Sequence, residues 1–545
     1  MTNSLLENKN ITIDNFKKFC SQCEAIQTQV LLDIIGNNAE TTIGQKYNFN
    51  KIATIDDFQK KVPVMEWKDI EDYAKETEKG TPNILFNGIP KLFIITSGTT
   101  GTSKIFPESK NGLIAKNITT TLRLNSLLNH LPNILNGKIL PMANSAVIGE
   151  TVSGIPYGTA SGITLINASE KWLSMVAYPI DILKLTDPHT LDYVIMRFSI
   201  ENDIRMIICN NAGRLEQLTQ IAEKYAEDII KDIEIGGISD RFHIPVKLKN
   251  ELLKSLTPNP SKAKQLQSII KATGSFTPKE YWSNLQVISC WLAGSVGNYV
   301  KNIKHLFSDN IQFMDCGYGA TEGKFNIPLE LNIPAGPLAI HSGFFEFTSL
   351  DDKNTFLTAH QLEDGKIYEI YCTTYSGLYR YAMHDIIKVN GFTGTTPNIQ
   401  FESKTADFAN LCGEKLSPVI LNLVIKTASE ITNTSIRHWC LVVDQDKKCY
   451  NFCLELTENN NSLTKNQENT IAKIIEKELY GDGTLPYPVF RKQNLINPAT
   501  VTIMTQGWYK AWFNSKKVTG ISSNQIKLPL VCRKIPLEKY VLEYV

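Results

Sequence analysis

Three short apolar stretches, each running straight into a loop of small and polar residues, constrain the fold of this chain more than any other feature of it. Residues 91–96 lead into Ser97-Gly98-Thr99-Thr100-Gly101-Thr102-Ser103-Lys104. Residues 311–315 lead into a stretch running Gly317-Tyr318-Gly319-Ala320-Thr321-Glu322-Gly323, and residues 366–374 lead into Tyr375-Ser376-Gly377-Leu378-Tyr379-Arg380-Tyr381, with His384 and Asp385 just beyond. Apolar runs of this length bounded by Gly, Ser and Thr read as buried strands, and 285–293 reads as another. Helical periodicity lies between them: Leu215, Leu218, Ile221, Ala222 and Tyr225 share one face in 200–232. Phe16, Cys20, Cys23, Ile26, Val30 and Ile34 predict a single amphipathic helix over 14–35, whereas 136–168 reads as strands and turns. Strands alternating with helices predict an α/β core.

Beyond residue 404 the texture changes. A helix is expected over 417–429, strands over 436–443 and 449–456, a polar Asn-rich loop over 457–468 and a helix over 468–479. The expected organisation is a large N-terminal α/β domain with β-sheets and flanking helices over 1–404, followed by a smaller C-terminal α+β domain over 405–545. No self-similarity of solenoid or propeller period is present.

Composition excludes several classes. With 42% hydrophobic and 20% charged residues in 545, the chain can bury a large core and is not disordered as a whole. Lys and Arg number 56 against 55 Asp and Glu, so no basic excess points to nucleic acid. No apolar window is long enough for a membrane span. The 11 cysteines are scattered and the first residues show no secretory signal, so reduced thiols and a cytoplasmic location are expected. The one Cys-x-x-Cys, Cys20 and Cys23, lacks a second ligand pair and reads as two small hydrophobes on a buried helix face. Eight histidines form no HxxxH or HExxH pattern, and no G-x-S-x-G elbow occurs, so neither a zinc hydrolase nor a serine hydrolase is supported.

The loops carry chemistry that such classes lack. Gly98 and Gly101 let backbone N–H groups approach a ligand, hydroxyl side chains surround them, and Lys104 adds positive charge, which suits nucleotide phosphates. The spacing is not that of a P-loop, and the same composition fits a hairpin turn. In the second loop an aromatic, Tyr318, can flank a purine, Thr321 can touch a phosphate and Glu322 can hold Mg2+, or the stretch is a glycine-rich turn. Asp385, read as lying in a loop after a strand, can accept hydrogen bonds from ribose hydroxyls or simply start a turn.

Taken in order, the three stretches resemble the phosphate loop, the YGxTE motif and the ribose-binding Asp of adenylate-forming enzymes. Within that superfamily the chain is similar to the auxin-responsive (Gretchen Hagen) family of acyl-acid amido synthetases, as a bacterial-type member. The resemblance also rests on Gln29-Val30-Leu31-Leu32, on Asn37 to Gly44, on Asp56-Asp57-Phe58-Gln59 with Val62-Pro63, on Glu369 to Tyr381 and on Gln525-Ile526-Lys527-Leu528-Pro529-Leu530. It spans roughly residues 27–535. Three positions depart from it: Lys404 stands where the superfamily hinge usually carries Arg, Leu530 where the family carries Arg, and His384 where a Gly usually precedes the Asp.

The resemblance implies an ATP-dependent ligase. A carboxylate attacks the α-phosphorus of ATP to give acyl-adenylate and pyrophosphate, and an amino acid amine then takes the acyl group and releases AMP. Ser97, Gly98, Thr99, Thr100 and Gly101 would cradle the pyrophosphate, with Lys104 beside them. Tyr318, Gly319 and Ala320 would border the nucleotide, Thr321 would touch the α-phosphate, Glu322 would hold Mg2+ and Asp385 the ribose. Lys415 would contact the nucleotide, and Lys527 would reach the α-phosphate from a mobile C-terminal domain. Thr321, Glu322 and Lys527 are thus the expected catalytic residues, ATP and Mg2+ the expected cofactors. The expected partners are small-molecule acids and amino acids, without nucleic acid or membrane, and the expected state is a monomer. Two other readings stay open: transfer of the acyl group to a thiol such as coenzyme A or a carrier protein, and a nucleotide-binding regulatory protein without turnover.

Overall fold

The computed structural model describes residues 11–95, 104–143, 147–166, 168, 170–185, 187–210, 212–293, 300, 303–404, 408–411, 416–457, 464–481, 487–492, 494–517 and 528–542. These residues form two compact units, one over 11–95, 104–383 and 387–401, the other over 384–386 and 402–542.

The first unit contains a four-stranded sheet, parallel throughout, in the order Lys138–Pro141, Ile204–Ile208, Val287–Cys290, Gln312–Asp315. Parallel strands are covered on both faces and therefore read as unbroken apolar runs, and Val287–Cys290 is buried at every position. The helix Pro188–Glu201 precedes the second strand. Asp187 caps it by accepting from the Thr190 N–H at 2.8 Å, and Pro188 takes the first helical position, where a missing N–H costs nothing. Ile204–Ile208 is a strand at the start of the stretch 200–232, where only a helix is expected, since five residues are too few to show a period. The helix expected around Leu215 is Gly213–Lys224. Residues 136–168 hold short strands as expected, but also the helix Ala160–Ile166.

A second four-stranded sheet pairs Leu92–Ile95 with Ile105–Glu108 on one side and with Pro156–Gly158 on the other, and Gly149–Glu150 closes its edge. A six-stranded sheet runs Leu357–Thr358, Gly343–Ser349, Ile367–Thr374, Tyr381–Thr393, Thr396–Lys404, Gly336–Pro337. The N-terminal helix is broken in two, Ile13–Cys20 and Cys23–Asn37. The reason is tertiary. The Cys20 carbonyl accepts from the Thr395 N–H at 3.0 Å and the Thr396 hydroxyl at 2.8 Å, while the Cys23 N–H donates to the Thr395 hydroxyl. Both cysteines are fully buried, and burial pushes their thiols up to about 12 and about 11, as expected of inert core residues.

In the second unit, Ile436–Asp444 and Cys449–Leu456 form an antiparallel pair, extended in parallel by Thr500–Met504 and Val531–Cys532. Alternation sorts the two faces: Leu441 and Val443 pack with the helices Pro418–Thr432 and Lys465–Tyr480, whereas Cys440 and Val442 pack with Met504 and Trp508. Among the described residues no helix is long and apolar enough to cross a membrane.

Candidate active site

Ligands of open α/β sheets sit outside the carboxyl ends of the strands. The loop holding Tyr318 to Glu322 leaves such an end, directly after Gln312–Asp315. Asp315, itself buried, anchors it by accepting from the Gly317 N–H at 2.6 Å and the Leu292 N–H at 2.7 Å, which ties together the loops that follow two neighbouring strands. Burial raises the Asp315 carboxyl to about 6 against the pull of those N–H donors. Gly317 has φ +85°, a conformation glycine adopts without steric cost. The Tyr318 N–H donates to Asn326 Oδ1 at 2.6 Å, the Ala320 N–H to the Gly323 carbonyl at 2.9 Å, and Gly319 bridges to Lys324, so the loop is a small, hydrogen-bonded hairpin.

Within that hairpin Tyr318 is only 8% exposed, its ring packed on Phe325 at 4.5 Å and Phe401 at 5.3 Å. Packed in this way, Tyr318 leaves little of its ring open to a ligand.

Behind the loop lies a buried carboxylate. Glu108 ends the strand Ile105–Glu108 and is 1% exposed. It pairs with Lys116 and accepts from the Ser376 hydroxyl. Lys116 in turn donates to the Thr321 carbonyl at 3.0 Å. Ser109, next in the chain, caps the helix Lys110–His130 by accepting from the Gly112 N–H at 2.9 Å, and its hydroxyl donates to the Tyr375 carbonyl at 2.8 Å. Strand, helix, the Tyr375 turn and the Thr321 loop are thereby joined by one polar network. Lys104 stands with its ammonium 5.7 Å from the centre of the Trp67 ring, which packs on Phe106.

Further along the same helix face, Thr119 meets His341 Nε2 at 3.0 Å, and Arg123 donates to the Ser289 hydroxyl at 2.8 Å. His341 is fully buried and its ring is pushed down to about 4, so it is neutral at physiological pH. Ser289 contacts the Cys316 thiol at 3.4 Å. Lys324 folds back onto Gly319: a Cβ there would lie 2.8 Å from Lys324 Cδ and 3.0 Å from Nζ. Burial, and then the charges of Arg123 and Lys116, push the Lys324 ammonium down to about 8. Sequence reading passed over Lys116, Arg123 and Lys324. Signals were present, since Lys116, Thr119 and Arg123 recur at helical spacing and Lys324 follows Gly323 directly.

In the second unit Asp385 is 3% exposed and lies within the strand Tyr381–Thr393, not in a loop as expected. In the turn before that strand the Thr374 N–H donates to the Leu378 carbonyl at 2.8 Å, and Gly377 takes φ +88°. Lys404, at the end of Thr396–Lys404, donates to Asp385 Oδ1 at 2.5 Å. His384 has φ +53°, the left-handed region, and is exposed. Arg380, in the first unit, is structural: it is buried, its Nε donates to Glu346 at 3.0 Å, and its NH1 to the carbonyls of Gln59 and Val62 at 2.9 and 2.8 Å.

Ser97, Gly98, Thr99, Thr100, Gly101, Lys415 and Lys527 lie outside the described residues. Glu322 offers one carboxylate from a half-buried position, and among the described residues no cluster of three or more His, Cys, Asp or Glu side chains is arranged to hold a metal. That donor set fits Mg2+ as an ion shared with substrate phosphates, the mode in which Mg2+ takes one or two carboxylates and keeps its waters.

Comparison with known proteins agrees with this architecture. Models of the N-terminal, central and C-terminal domains of the GH3 family match residues 12–311, 336–404 and 419–535. The chain is 22% identical over 439 residues to the jasmonoyl–L-amino acid synthetase JAR6 of Nicotiana attenuata, covering 77% of this chain and 75% of that protein. It is 23% identical over 418 residues to the indole-3-acetic acid-amido synthetase GH3.10 of Arabidopsis thaliana, covering 70% and 69%. The solved structure of the GH3.15 acyl acid amido synthetase shares the fold, with a TM-score of 0.82 at 20% identity over 97% of this chain and 96% of that one.

Proposed function

The chain belongs to the GH3 family, and from that premise we propose that it joins a small-molecule carboxylic acid to the amine of an amino acid through an acyl-adenylate made from ATP. In the first half-reaction a carboxylate oxygen forms a bond to the α-phosphorus while the bond to the β-phosphate oxygen breaks, and pyrophosphate leaves. In the second, the neutral amine attacks the acyl carbon, AMP leaves with the bonding pair, and the nitrogen gives up its extra proton to solvent. Neither step needs a covalent bond to the protein, so positioning and charge stabilisation carry the catalysis.

The observation that best supports this reading is the support behind Thr321. Its carbonyl is fixed by Lys116, which is itself fixed by buried Glu108, so the loop is held at the carboxyl end of the parallel sheet before any ligand arrives. Preorganisation of that kind is what a phosphoryl-transfer site requires. In the proposed roles Thr321 contacts the α-phosphate, with Gly319 and Ala320 bordering the nucleotide and Asp385 accepting from the ribose hydroxyls. Glu322 is the residue that would hold Mg2+, which supplies charge neutralisation on the phosphates when bound. Lys104 and residues 97–101 would serve the departing pyrophosphate, Lys415 the nucleotide and Lys527 the α-phosphate.

The test is pyrophosphate release screened over carboxylic acids with ATP, followed by mass spectrometry of products formed with mixed amino acids. Pyrophosphate that depends on the acid, and AMP release that depends on an amino acid, are expected. Product with coenzyme A and with no amine would make the chain a thioester-forming ligase, and absence of turnover with every acid would make it a nucleotide-binding protein.

A further inference from the structure

We propose that the protein binds a small inorganic polyphosphate, pyrophosphate being the shortest, in a basic pocket among three short N-terminal helices where Lys46, Lys51 and Lys61 converge. None of these residues belongs to the nucleotide site proposed above, and the inference does not depend on that reading.

Its ground is the way charge is shared out in this part of the chain. Residues 46–79 hold seven lysines. Four of them, Lys60, Lys68, Lys75 and Lys79, form ion pairs with Asp56, Glu66, Glu71 and Glu76. The other three, Lys46, Lys51 and Lys61, form none among the described residues, and these are the three that line a cavity of about 260 Å³ together with Tyr47 and Asn48. Acids are not scarce nearby. Asp57 acts on Lys61 through space, but its carboxylate is committed to the Ala53 and Thr54 N–H groups, each at 3.2 Å. The lysines that face away from the cavity are thus answered by carboxylates, and those that face it are not.

Two of the three ammonium groups are held in place. Lys46 Nζ donates to the Tyr73 hydroxyl at 3.0 Å and lies 5.2 Å from the centre of the Tyr47 ring and 5.3 Å from that of Tyr73. Lys61 donates to the Lys51 carbonyl. The backbone beneath them is fixed as well. Asn48 takes φ +53° and its carbonyl accepts from the Lys51 N–H at 2.9 Å, Phe49 is buried against Tyr379 at 4.9 Å, and Arg380 holds the carbonyls of Gln59 and Val62 on either side of Lys61. Each lysine ends a short helix, Thr42–Lys46, Phe49–Lys51 or Ile55–Lys61, and the carbonyls there offset part of the charge. Three ammonium groups around one cavity still repel one another, and an anion that touches all three relieves the repulsion. Lysine serves phosphate as a point charge, and one phosphate carries only roughly 1.5–2 negative charges near pH 7, fewer than the three cations it would face. The cavity is also smaller than the roughly 300–1,000 Å³ of pockets for drug-sized ligands, which suits a free polyphosphate better than a nucleotide.

The experiment is calorimetric titration of the full-length protein with inorganic phosphate, pyrophosphate and tripolyphosphate, at low and at moderate salt. Pyrophosphate and tripolyphosphate are expected to bind more tightly than phosphate and to lose affinity as salt is raised. Lys51→Gln/Lys61→Gln should weaken one binding site by about tenfold or more, the effect of a lost hydrogen bond between charged groups, and Lys51→Arg/Lys61→Arg should keep it. The control is Lys60→Gln/Lys68→Gln, which removes the same charge from paired lysines outside the cavity and should leave binding unchanged. All four lysines are exposed, so the variants are expected to fold, and thermal melts check that they do. Equal weakening by the two glutamine pairs would reduce the pocket to diffuse surface charge and overturn the inference. So would an isotherm that Lys51→Gln/Lys61→Gln leaves unaltered, because any polyphosphate bound would then sit elsewhere, the nucleotide site included.

Discussion

Lys404 donates to Asp385 Oδ1 across 2.5 Å, joining the last residue of one strand to a buried carboxylate near the start of its predecessor in the chain. The lysine is 55% exposed at its side chain and the aspartate 4%, so the carboxylate belongs to the protein interior and the ammonium reaches to it from solvent.

Asp385→Ala should raise the KM for ATP by about tenfold to a hundredfold, because hydrogen bonds to a charged acceptor contribute roughly 1.5–3 kcal/mol each. Lys404→Ala should cost about 1–3 kcal/mol of stability, more than a pair exposed on both sides, because it takes a cation from a buried carboxylate. Steady-state kinetics with varied ATP and thermal melts of both variants check this. A KM unchanged in Asp385→Ala removes the residue from the nucleotide site.

Lys116→Met should slow adenylate formation by at least about tenfold, through loss of the fixed Thr321 carbonyl, and should destabilise the fold by about 3 kcal/mol because Glu108 is left buried without its cation. Adding Glu108→Gln to Lys116→Met should recover much of the stability and little of the rate. Pyrophosphate kinetics and denaturant unfolding of the single and double variants separate the two effects. Equal recovery of both would reduce Lys116 to a structural counter-ion.

Lys324 makes the stability of the fold depend on pH. Its amine is held at about 8 when folded against 10.5 as the ordinary value, so between those values the unfolded chain binds more protons and stability rises with pH. Below 8 both states are protonated and the penalty is constant; above 10.5 neither is. Lys324→Met should therefore be more stable than wild type at pH 7, by about 1–3 kcal/mol, with the margin shrinking as pH rises through that window. Denaturant unfolding at pH 7.5 and pH 10 reads the difference.

His384 occupies φ +53° with its side chain exposed, where glycine is at home. His384→Gly should be at least as stable as wild type, the relief of about 1 kcal/mol offsetting the extra freedom of the unfolded chain. His384→Val should lose about 1–2 kcal/mol, since a branched Cβ fits this region worst. Melting temperatures of the two variants decide it, and a destabilised glycine variant would show that contacts of the imidazole outweigh the strain.

Local chemistry wrote much of this protein in readable form. The strands Leu92–Ile95, Gln312–Asp315 and Ile367–Thr374 were legible because an apolar run and the small residues that end it are neighbours in the chain. So were the helices Pro418–Thr432 and Lys465–Tyr480 and the strands Ile436–Asp444 and Cys449–Leu456 of the second unit, whose periods are long enough to count, whereas Thr500–Met504 and the helix Trp508–Lys517 were not expected. The family could be read from the order of its loops. What could not be read there depends on segments far apart meeting in space. Lys116 and Thr321 are 205 positions apart, so nothing local marks the helix face that supports the motif loop. The break at Cys20 is dictated by Thr395 and Thr396, 375 and 376 residues away, which take a carbonyl that the helix would otherwise keep. Arg380, within the family-like stretch, takes its structural role only where Glu346, Gln59 and Val62 close around it. Lys324 looks like any solvated lysine in one dimension. Folding lays its stem against Gly319 and brings the charge of Arg123 to bear on its amine, and a charge acquires its meaning only from the charges and dielectric around it.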